Sequence, residues 1–149
     1  MYLDTITLFN KYESRLGDMW YPSVINGVNL NIDKAAIIAK YGAESKDAVV
    51  LNIRYVSLND KKFIDGKLYL PPKEWENQTN DKLSESLTLA SGNGADFFLV
   101  GDYGVAGPIA DDDYDNGFYD YMNKKYDHVF AITSVGEYTV IPHFEVLGA

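Results

Sequence analysis

Four acidic residues stand close together in the segment Asp111–Asp115. Carboxylate oxygens at this density are the ligands that a calcium ion prefers. An EF-hand loop, however, also needs a glycine at its middle and a glutamate at its last position. Counting from Asp111 or from Asp112 never places both residues correctly. The segment is therefore better explained as the start of a helix, where carboxylates stabilise the helix dipole, with an irregular calcium site as the alternative.

The two histidines, His128 and His143, are the next candidates for metal or acid–base chemistry. Neither has a second histidine at the helical or strand spacing that metal pairs use. His143 and Glu145 share a face of a predicted strand, but the sequence identifies no third partner. We therefore expect a hydrogen-bonded histidine at a strand end or an interface, and assign neither residue to a metal or a catalytic role.

Trp75 lies between two acids, Glu74 and Glu76, a combination that superficially suggests carbohydrate chemistry. Glycosidase carboxylates must be held across a cleft, usually on different elements, and two neighbouring loop acids do not meet that requirement. An alternative function is nevertheless a small-ligand or carbohydrate-binding β domain that uses Trp20, Trp75 and tyrosines as stacking platforms. The competing interpretation is that both indoles cover the core or subunit contacts.

Other catalytic motifs do not occur. No serine stands in a Gly-x-Ser-x-Gly elbow, and the chain has no cysteine. The glycine-rich stretches at Ser91–Gly94 and Gly101–Gly107 lack the strand-to-helix context and the lysine of a phosphate cradle, and are interpreted as turns. We therefore predict a protein that is not an enzyme, with no cofactor and no metal.

Composition limits the remaining classes. The chain has 149 residues, of which 46% are hydrophobic and 14% aromatic, including 12 tyrosines. This is typical of one sheet-rich domain over residues 1–149. A net charge of −9 disfavours nucleic acid as a partner. The N-terminus lacks a basic region and a long apolar run, so we expect neither a signal peptide nor a membrane anchor.

Alternation of apolar and polar residues predicts strands along most of the chain. They are Thr5–Phe9, Trp20–Val24, Val28–Ile32, Val49–Tyr55, Lys67–Leu70, part of Leu83–Leu89, Phe97–Val100, Val129–Val135 and Thr139–Leu147. Pro22 lacks a backbone donor and indicates an edge or a bulge. Asn26-Gly27 predicts a turn or a bulge, and Gly136-Glu137 predicts the last turn.

Three segments are less regular. Asp33–Gly42 fits either a short helix or a strand, and the alternation of its neighbours favours the strand. Asn59–Gly66 is charged and rich in turn residues, and Lys73–Lys82 is interpreted as a loop around Trp75. The fold class that follows is mainly β, a barrel or a meander-type sheet.

One segment has a convincing helical period. Apolar residues recur at helical spacing from Phe118 to Val129, with acids before the segment and two lysines near its end. This predicts one α-helix around residues 116–127, so that the fold is α+β by count.

Both ends of the chain carry a resemblance. Residues 4–12 and 20–28, and then residues 131–135 and 142–148, resemble the opening and closing strands of small proteins from phage and prophage structural modules. The similar groups are minor capsid proteins and head–tail connectors of the head-closure type, with uncharacterised relatives in phages of gut Firmicutes. The middle, Asn59–Gly117, matches only loosely.

The resemblance implies a small β-barrel with a helix that acts as a virion or assembly component. Its partners would be portal or adaptor and tail proteins, and other copies of itself in a ring. It would be found in the host-cell cytoplasm during assembly and then in the virion. An acidic surface would suit a channel through which DNA slides without sticking.

The expected mechanism is docking through strand edges, tyrosines and loops. The segments expected to make contacts are Pro22, the loop Asn59–Gly66 and the loop Gly101–Asp115. The predicted interaction surface consists of Trp20, Tyr21, Pro22, Trp75, Tyr103, Tyr114 and His143.

Overall fold

The fold is mainly β, as the alternation predicts. A computed structural model describes residues 2–32, 49–90 and 95–149. The strands are β1 (Asp4–Ser14), β2 (Gly17–Ile32), β3 (Val49–Arg54), β4 (Val56–Leu58), β5 (Lys61–Ile64), β6 (Lys67–Tyr69), β7 (Ser86–Leu87), β8 (Phe97–Val100), β9 (Ile109–Ala110), β10 (Val129–Tyr138) and β11 (His143–Gly148). The helices are α1 (Pro72–Glu76), α2 (Asn80–Leu83) and α3 (Phe118–Lys125).

Six of the strands close into an antiparallel barrel. Their order is β1-β8-β10-β11-β3-β2, and β2 pairs again with β1 to complete the circle. The β1–β2 hairpin is the longest pairing and runs from Asp4 opposite Val28 to Ser14 opposite Gly17. Closure leaves these six strands with partners on both sides over part of their length, which removes the exposed edges of an open sheet.

A bulge bends the second strand of this hairpin. The register shifts between Asp4 and Thr5, which pair with Val28 and Asn26, so Gly27 is the extra residue. Gly27 has a φ of 69°, a conformation that glycine adopts without a steric penalty. The Asn26-Gly27 signal thus marks a bulge, and the two strands predicted on either side of it are one strand, β2.

Side chains from all six barrel strands fill the inside of the barrel. Ile6 and Leu8 of β1 and Leu51 and Ile53 of β3 are at most 1% exposed. The same cluster includes Ile25, Val28, Val49, Phe98, Phe130, Ile132, Phe144 and Val146. Because side chains alternate along a strand, these residues share the inner face, and the barrel interior is a packed core.

Helix α3 packs against the outer face of the barrel. The outward side chains of β1 and β8, Phe9 and Phe97, stack with their ring centroids 4.7 Å apart. Phe118 of α3 contacts Phe9 edge-on at 5.3 Å, and Met122 is fully buried in the same cluster. The helix predicted around residues 116–127 is therefore confirmed, and its apolar stripe covers the barrel wall.

A second, four-stranded sheet has the order β4-β5-β6-β7. Strand β5 lies inside Asn59–Gly66, a segment predicted to be only a turn-rich loop. Tight turns on both sides of β5 explain the difference, since Asn59 and Asp60, and then Asp65 and Gly66, all have positive φ. Two-residue turns of this kind join antiparallel strands, so the charged segment forms two hairpins.

The interpretation of Lys73–Lys82 as a loop is also wrong. Helices α1 and α2 occupy most of it, because Pro72 starts α1 and both helices bury an apolar side chain, Trp75 and Leu83.

The last predicted turn is misplaced as well. Gly136 and Glu137 lie within β10, and the chain turns between Tyr138 and His143.

Other predictions concern single positions. The segments Asp33–Gly42 and Ser91–Gly94 lie outside the described residues. Pro22 lies opposite Phe9 of β1. On the other side of β2, the described residues pair only with β9, at Met19–Trp20, and with β3, from Asn29 onward. Pro22 therefore occupies a local edge, as its missing donor predicts.

Candidate interaction surface

Three of the seven residues predicted to form an interaction surface are buried. Trp20 and Trp75 are each 1% exposed and Tyr21 is 9% exposed. Trp75 donates its indole N–H to the carbonyl of Ser86 at 3.3 Å, and its ring contacts Tyr21 edge-on. The structure corrects the placement of these three residues, because α3 packs over Trp20 and the Trp75 side chain of α1 packs on Tyr21. Burial of both indoles is what their competing interpretation, as residues that cover the core, expects. Neither indole presents a free face to a ligand.

Tyr103 and Tyr114 lie beside α3 and are half buried. Tyr103 contacts Phe9 at 5.5 Å between ring centroids, and Tyr114 contacts Tyr121 at 4.6 Å. Burial raises the pKa of Tyr103. Both side chains are only partly buried, and contact of these tyrosines with a partner stays a prediction.

His143 begins β11 and is half buried. Its Nδ1 lies 2.7 Å from the carbonyl oxygen of Ile141, and its ring stacks on Tyr138 with centroids 4.8 Å apart. His143 and Glu145 fall on the same outward face of β11, as their spacing predicts. These contacts fix the ring at the turn between β10 and β11. A role for His143, or for the half-buried Pro22, in binding a partner stays a prediction.

The acidic segment Asp111–Asp115 supports the start of α3. Oδ1 of Asp111 accepts the indole N–H of Trp20 and the backbone N–H of Phe118, both at 2.8 Å. Burial raises the pKa of Asp111, but these hydrogen bonds outweigh it and hold the pKa below its ordinary value. Within residues 2–32, 49–90 and 95–149, no three histidine, aspartate or glutamate side chains converge to hold a metal.

A buried polar network around Asp96 has no counterpart in the sequence-based predictions. Asp96 is 2% exposed, and its carboxylate accepts hydrogen bonds from Nδ2 of Asn10 and from the backbone N–H groups of Lys11 and Ala90. Asn10 also bonds both backbone groups of Thr88. Burial raises the pKa of Asp96 to about 7. The sequence feature that could have indicated this network is Asn10, a polar residue at an inward position of β1.

The network ties separate parts of the fold together. It joins β1 to the segment that follows β7 and to the residue before β8. Hydrogen bonds of this kind satisfy buried backbone groups that would otherwise cost about 1–3 kcal/mol each. Because Asp96 is buried and its oxygens accept three hydrogen bonds from within the chain, its carboxyl group fixes the positions of these strands.

A second polar cluster joins the two sheets. Oε2 of Glu137, on β10, accepts the hydroxyl of Tyr55 at 2.7 Å and the ammonium of Lys62 at 2.6 Å. The bond to Glu137, then burial, raise the pKa of Tyr55 to about 12, and the bond from Lys62 lowers the pKa of Glu137. An open cleft of about 540 Å³ lies beside this cluster, and Tyr69, Glu137 and Phe144 are among its lining residues.

An exposed apolar groove lies beside β4, and we call it the β4 groove. Its volume is about 760 Å³, and it is lined by Asn26, Gly27, Arg54, Tyr55, Val56, Leu58, Phe63, Asp65, Gly66, Ile141 and Pro142. Val56 is 67% exposed, Leu58 61% and Ile141 70%. Single exposed apolar residues are ordinary, but these three line one groove, which makes the groove a candidate interaction site.

The charge of the segment that contains β4 differs in sign from that of the chain as a whole. Residues 54–73 contain five basic and two acidic residues, whereas the net charge of the chain is −9. Lys61 lies opposite Leu58, so both side chains project to the same face of the β4–β5 hairpin. The Arg54 guanidinium lies 4.2 Å from the ring of Tyr2. The two charged residues that line the groove, Arg54 and Asp65, have opposite signs, so the lining itself is apolar and carries no net charge.

Comparison with known proteins identifies the family of the chain. Over residues 1–149 the chain matches the family of unknown function DUF6751, and it therefore belongs to that family. No curated protein and no solved structure matches it. None of the described helices is long and apolar enough to pass through a membrane.

Proposed function

We propose that this member of DUF6751 is a non-enzymatic structural or assembly protein of phage or prophage origin. In this proposal it is a head–tail connector, neck or minor capsid component that works by protein–protein contacts. It is present in the host-cell cytoplasm during assembly and then in the virion. The resemblance of the two ends of the chain to phage structural modules motivates the phage assignment.

The observation that supports a contact function is the β4 groove. Val56, Leu58 and Ile141 expose most of their surface to solvent there, while the barrel interior is filled with side chains. Exposed apolar side chains gain about 25 cal/mol for each Å² that a partner covers, and this is the main driving force of association. The apolar surface that is available for contacts therefore lies on the outside of the barrel.

Burial of the tryptophans weakens the alternative function. A stacking platform for a sugar or another small ligand needs an aromatic face open to solvent. Trp20 and Trp75 are each 1% exposed, and both indole N–H groups already have acceptors within the chain. We therefore propose contacts with proteins rather than ligand binding by tryptophan.

The experiment is to induce particle formation in the strain that encodes the chain and to analyse density-purified particles by mass spectrometry. We expect the chain in these particles, and a deletion strain should release heads without tails or heads that have lost their DNA. A wild-type copy supplied in trans should restore tailed particles.

Two variants sharpen the test. Ile141→Asp should fail to restore the particles, because it charges the exposed turn beside the β4 groove. Leu16→Asp should restore them, because Leu16 is 99% exposed in the β1–β2 turn, away from the groove. Absence of the chain from the particles, or normal particles from the deletion strain, contradicts the proposal.

A further inference from the structure

The pair Asn116-Gly117, in the turn before α3, can react with itself. The backbone nitrogen of the residue after an asparagine can attack the carboxamide carbon, because the product is a five-membered imide ring. A glycine after the asparagine favours this attack, since it has no side chain that shields its nitrogen. The chain has three such pairs, at Asn26, Asn93 and Asn116, of which the second lies outside the described residues.

Asn26 is exposed, but its side chain is held in place. Its Oδ1 accepts the hydroxyl of Thr5 at 2.9 Å, and its Nδ2 donates to the carboxylate of Asp65 at 3.3 Å. Its backbone belongs to β2, pairs with Thr5 of β1 and donates its N–H to the same carboxylate at 2.9 Å. Attack by Gly27 requires the side chain to give up both bonds and the backbone to leave the hairpin, and paired strands open rarely.

Asn116 is exposed without such restraints. Its side chain forms no hydrogen bond with the described residues. It lies in the short turn between Asp113 and α3, and together with Gly117 it lines an open hollow of about 530 Å³ that water can enter. The attacking nitrogen belongs to Gly117, whose N–H donates to the carbonyl of Tyr114 at 3.1 Å. Because that bond closes a turn outside the sheets and the helices, it opens at a lower free-energy cost than a strand pairing.

We propose that Asn116 is a site of spontaneous deamidation and backbone isomerisation. The nitrogen of Gly117 forms a bond to Cγ of Asn116, the bond from Cγ to Nδ2 breaks, and ammonia leaves with the former amide proton. Water then opens the imide ring at either carbonyl carbon. Opening at Cγ gives aspartate, whereas opening at the backbone carbonyl gives isoaspartate, in which the chain continues through Cγ. The reaction consumes one water, releases one ammonia and changes no oxidation state. It does not depend on the proposed function.

Isoaspartate at position 116 disturbs the start of α3, because it adds one carbon to the backbone immediately before Gly117. That glycine has little spare room, since a Cβ built on it would lie 3.2 Å from Oδ1 of Asp111. The same oxygen accepts the backbone N–H of Phe118 at 2.8 Å, and the carbonyl of Gly117 accepts the N–H of Tyr121. The isomerised backbone therefore loosens the helix from the barrel, whereas aspartate in a normal backbone only adds a charge.

The test is to store the full chain at neutral and at mildly alkaline pH and to follow each Asn-Gly pair by peptide mapping, with fragment ions that separate Asn116 from Asn93. Isoaspartyl methyltransferase with labelled S-adenosylmethionine detects the isomerised product. We expect conversion at Asn116 to be at least about tenfold faster than at Asn26, and to accelerate with pH because a deprotonated amide nitrogen is the nucleophile. In guanidinium chloride the two sites should convert at similar rates, because the fold no longer protects Asn26.

Two variants separate the reaction from its structural effect. Asn116→Gln should abolish conversion at this position and keep the fold, because attack on the longer side chain requires a less favoured six-membered ring. Asn116→Asp carries the charge of the product in a normal backbone. Stored wild-type chain with isoaspartate at position 116, isolated by ion exchange, should unfold at a lower urea concentration than fresh Asn116→Asp. Asn116→Gln stored in parallel accounts for other ageing reactions, and circular dichroism of both variants checks the fold.

Three results would overturn the inference. They are conversion at Asn116 that is no faster than at Asn26 in the folded chain, a rate difference that persists in guanidinium chloride, or isoaspartate at position 116 with the urea midpoint of fresh Asn116→Asp. The second result would assign the difference to the neighbouring sequence rather than to the fold. The third would remove the link between the modification and α3.

Discussion

The indole N–H of Trp20 donates to Oδ1 of Asp111 at 2.8 Å, and this bond connects the barrel wall to the start of α3. The same oxygen accepts the backbone N–H of Phe118 at 2.8 Å. One carboxylate thus satisfies two donors from separate elements and couples the start of the helix to the barrel wall, in addition to the packing of Phe118 and Met122.

Asp111→Ala should therefore lower the free energy of unfolding by about 2 kcal/mol, since it leaves both donors without their acceptor. Urea denaturation followed by tryptophan fluorescence measures the change. Asp113→Ala is the matched control, an exposed aspartate of the same turn, and should change stability by less than about 0.5 kcal/mol. Equal effects of the two substitutions would contradict the role assigned to Asp111.

The bond between Trp20 and Asp111 shows which features can be predicted from the sequence and which cannot. The helical period from Phe118 and the acids before it predict α3, because both signals are local. The partner of Asp111 is 91 residues away in the sequence, at Trp20. No periodicity encodes that contact. For the same reason, the sequence left open whether Trp20 covers the core or a contact surface, since alternation alone does not show which face of a strand an outside helix will cover.

The barrel itself was predictable only as a class. Alternation in β1, β2 and β3 predicts strands with one buried face, but the pairing of β1 with both β2 and β8 depends on contacts distant in sequence. The β4 groove was hidden for another reason. Charged residues such as Lys61 weaken the strand signal of β5, and the exposed apolar residues beside it look like ordinary core positions.

Asp96 should make stability depend on pH. Burial raises its pKa to about 7, although hydrogen bonds from Lys11, Asn10 and Ala90 act in the opposite direction. In the unfolded chain an aspartate titrates at about pH 4. Between these values the native state holds a proton that the unfolded state has lost. The free energy of unfolding should therefore fall as pH rises from about 4 to about 7, and level off above that.

Urea denaturation between about pH 5 and pH 8 measures this dependence. One such group can change the free energy of unfolding by up to a few kcal/mol over the range. Asp96→Asn should remove it. The variant should also be less stable at the high end, because its amide N–H₂ faces donors that need an acceptor. Asp113→Asn should keep the wild-type slope. A wild-type profile that rises over this range would contradict the raised pKa.

Tyr55 should ionise only at unusually high pH. Its hydrogen bond to Glu137 raises the pKa to about 12. Removing the acceptor charge in Glu137→Gln should bring the pKa back toward about 10, the ordinary value. Titration of ¹³C-labelled tyrosine by NMR, with the Tyr55 signal identified from Tyr55→Phe, measures the shift.

The control for this titration is Glu85→Gln, which removes a glutamate that pairs with Lys82. It should leave the Tyr55 signal unchanged. If Tyr55 titrates at the ordinary value in the wild-type chain, the bond to Glu137 does not persist in solution. The anchoring of the β4–β5 hairpin through Glu137 and Lys62 would then need another explanation.

The last strand of the barrel, β11, has no room for a side chain at Gly148. A Cβ atom built there would lie 2.9 Å from Cγ1 of Val49, 3.2 Å from the carbonyl oxygen of Ala131 and 3.2 Å from Cβ of Phe130. Gly148→Ala should therefore force the β10–β11–β3 seam apart and lower the free energy of unfolding by about 1–3 kcal/mol. Gly107→Ala is the matched control, because nothing lies within 4 Å of the corresponding Cβ. Thermal or urea denaturation of both variants decides the matter, and a Gly148→Ala protein as stable as Gly107→Ala would mean that the seam is looser than these distances indicate.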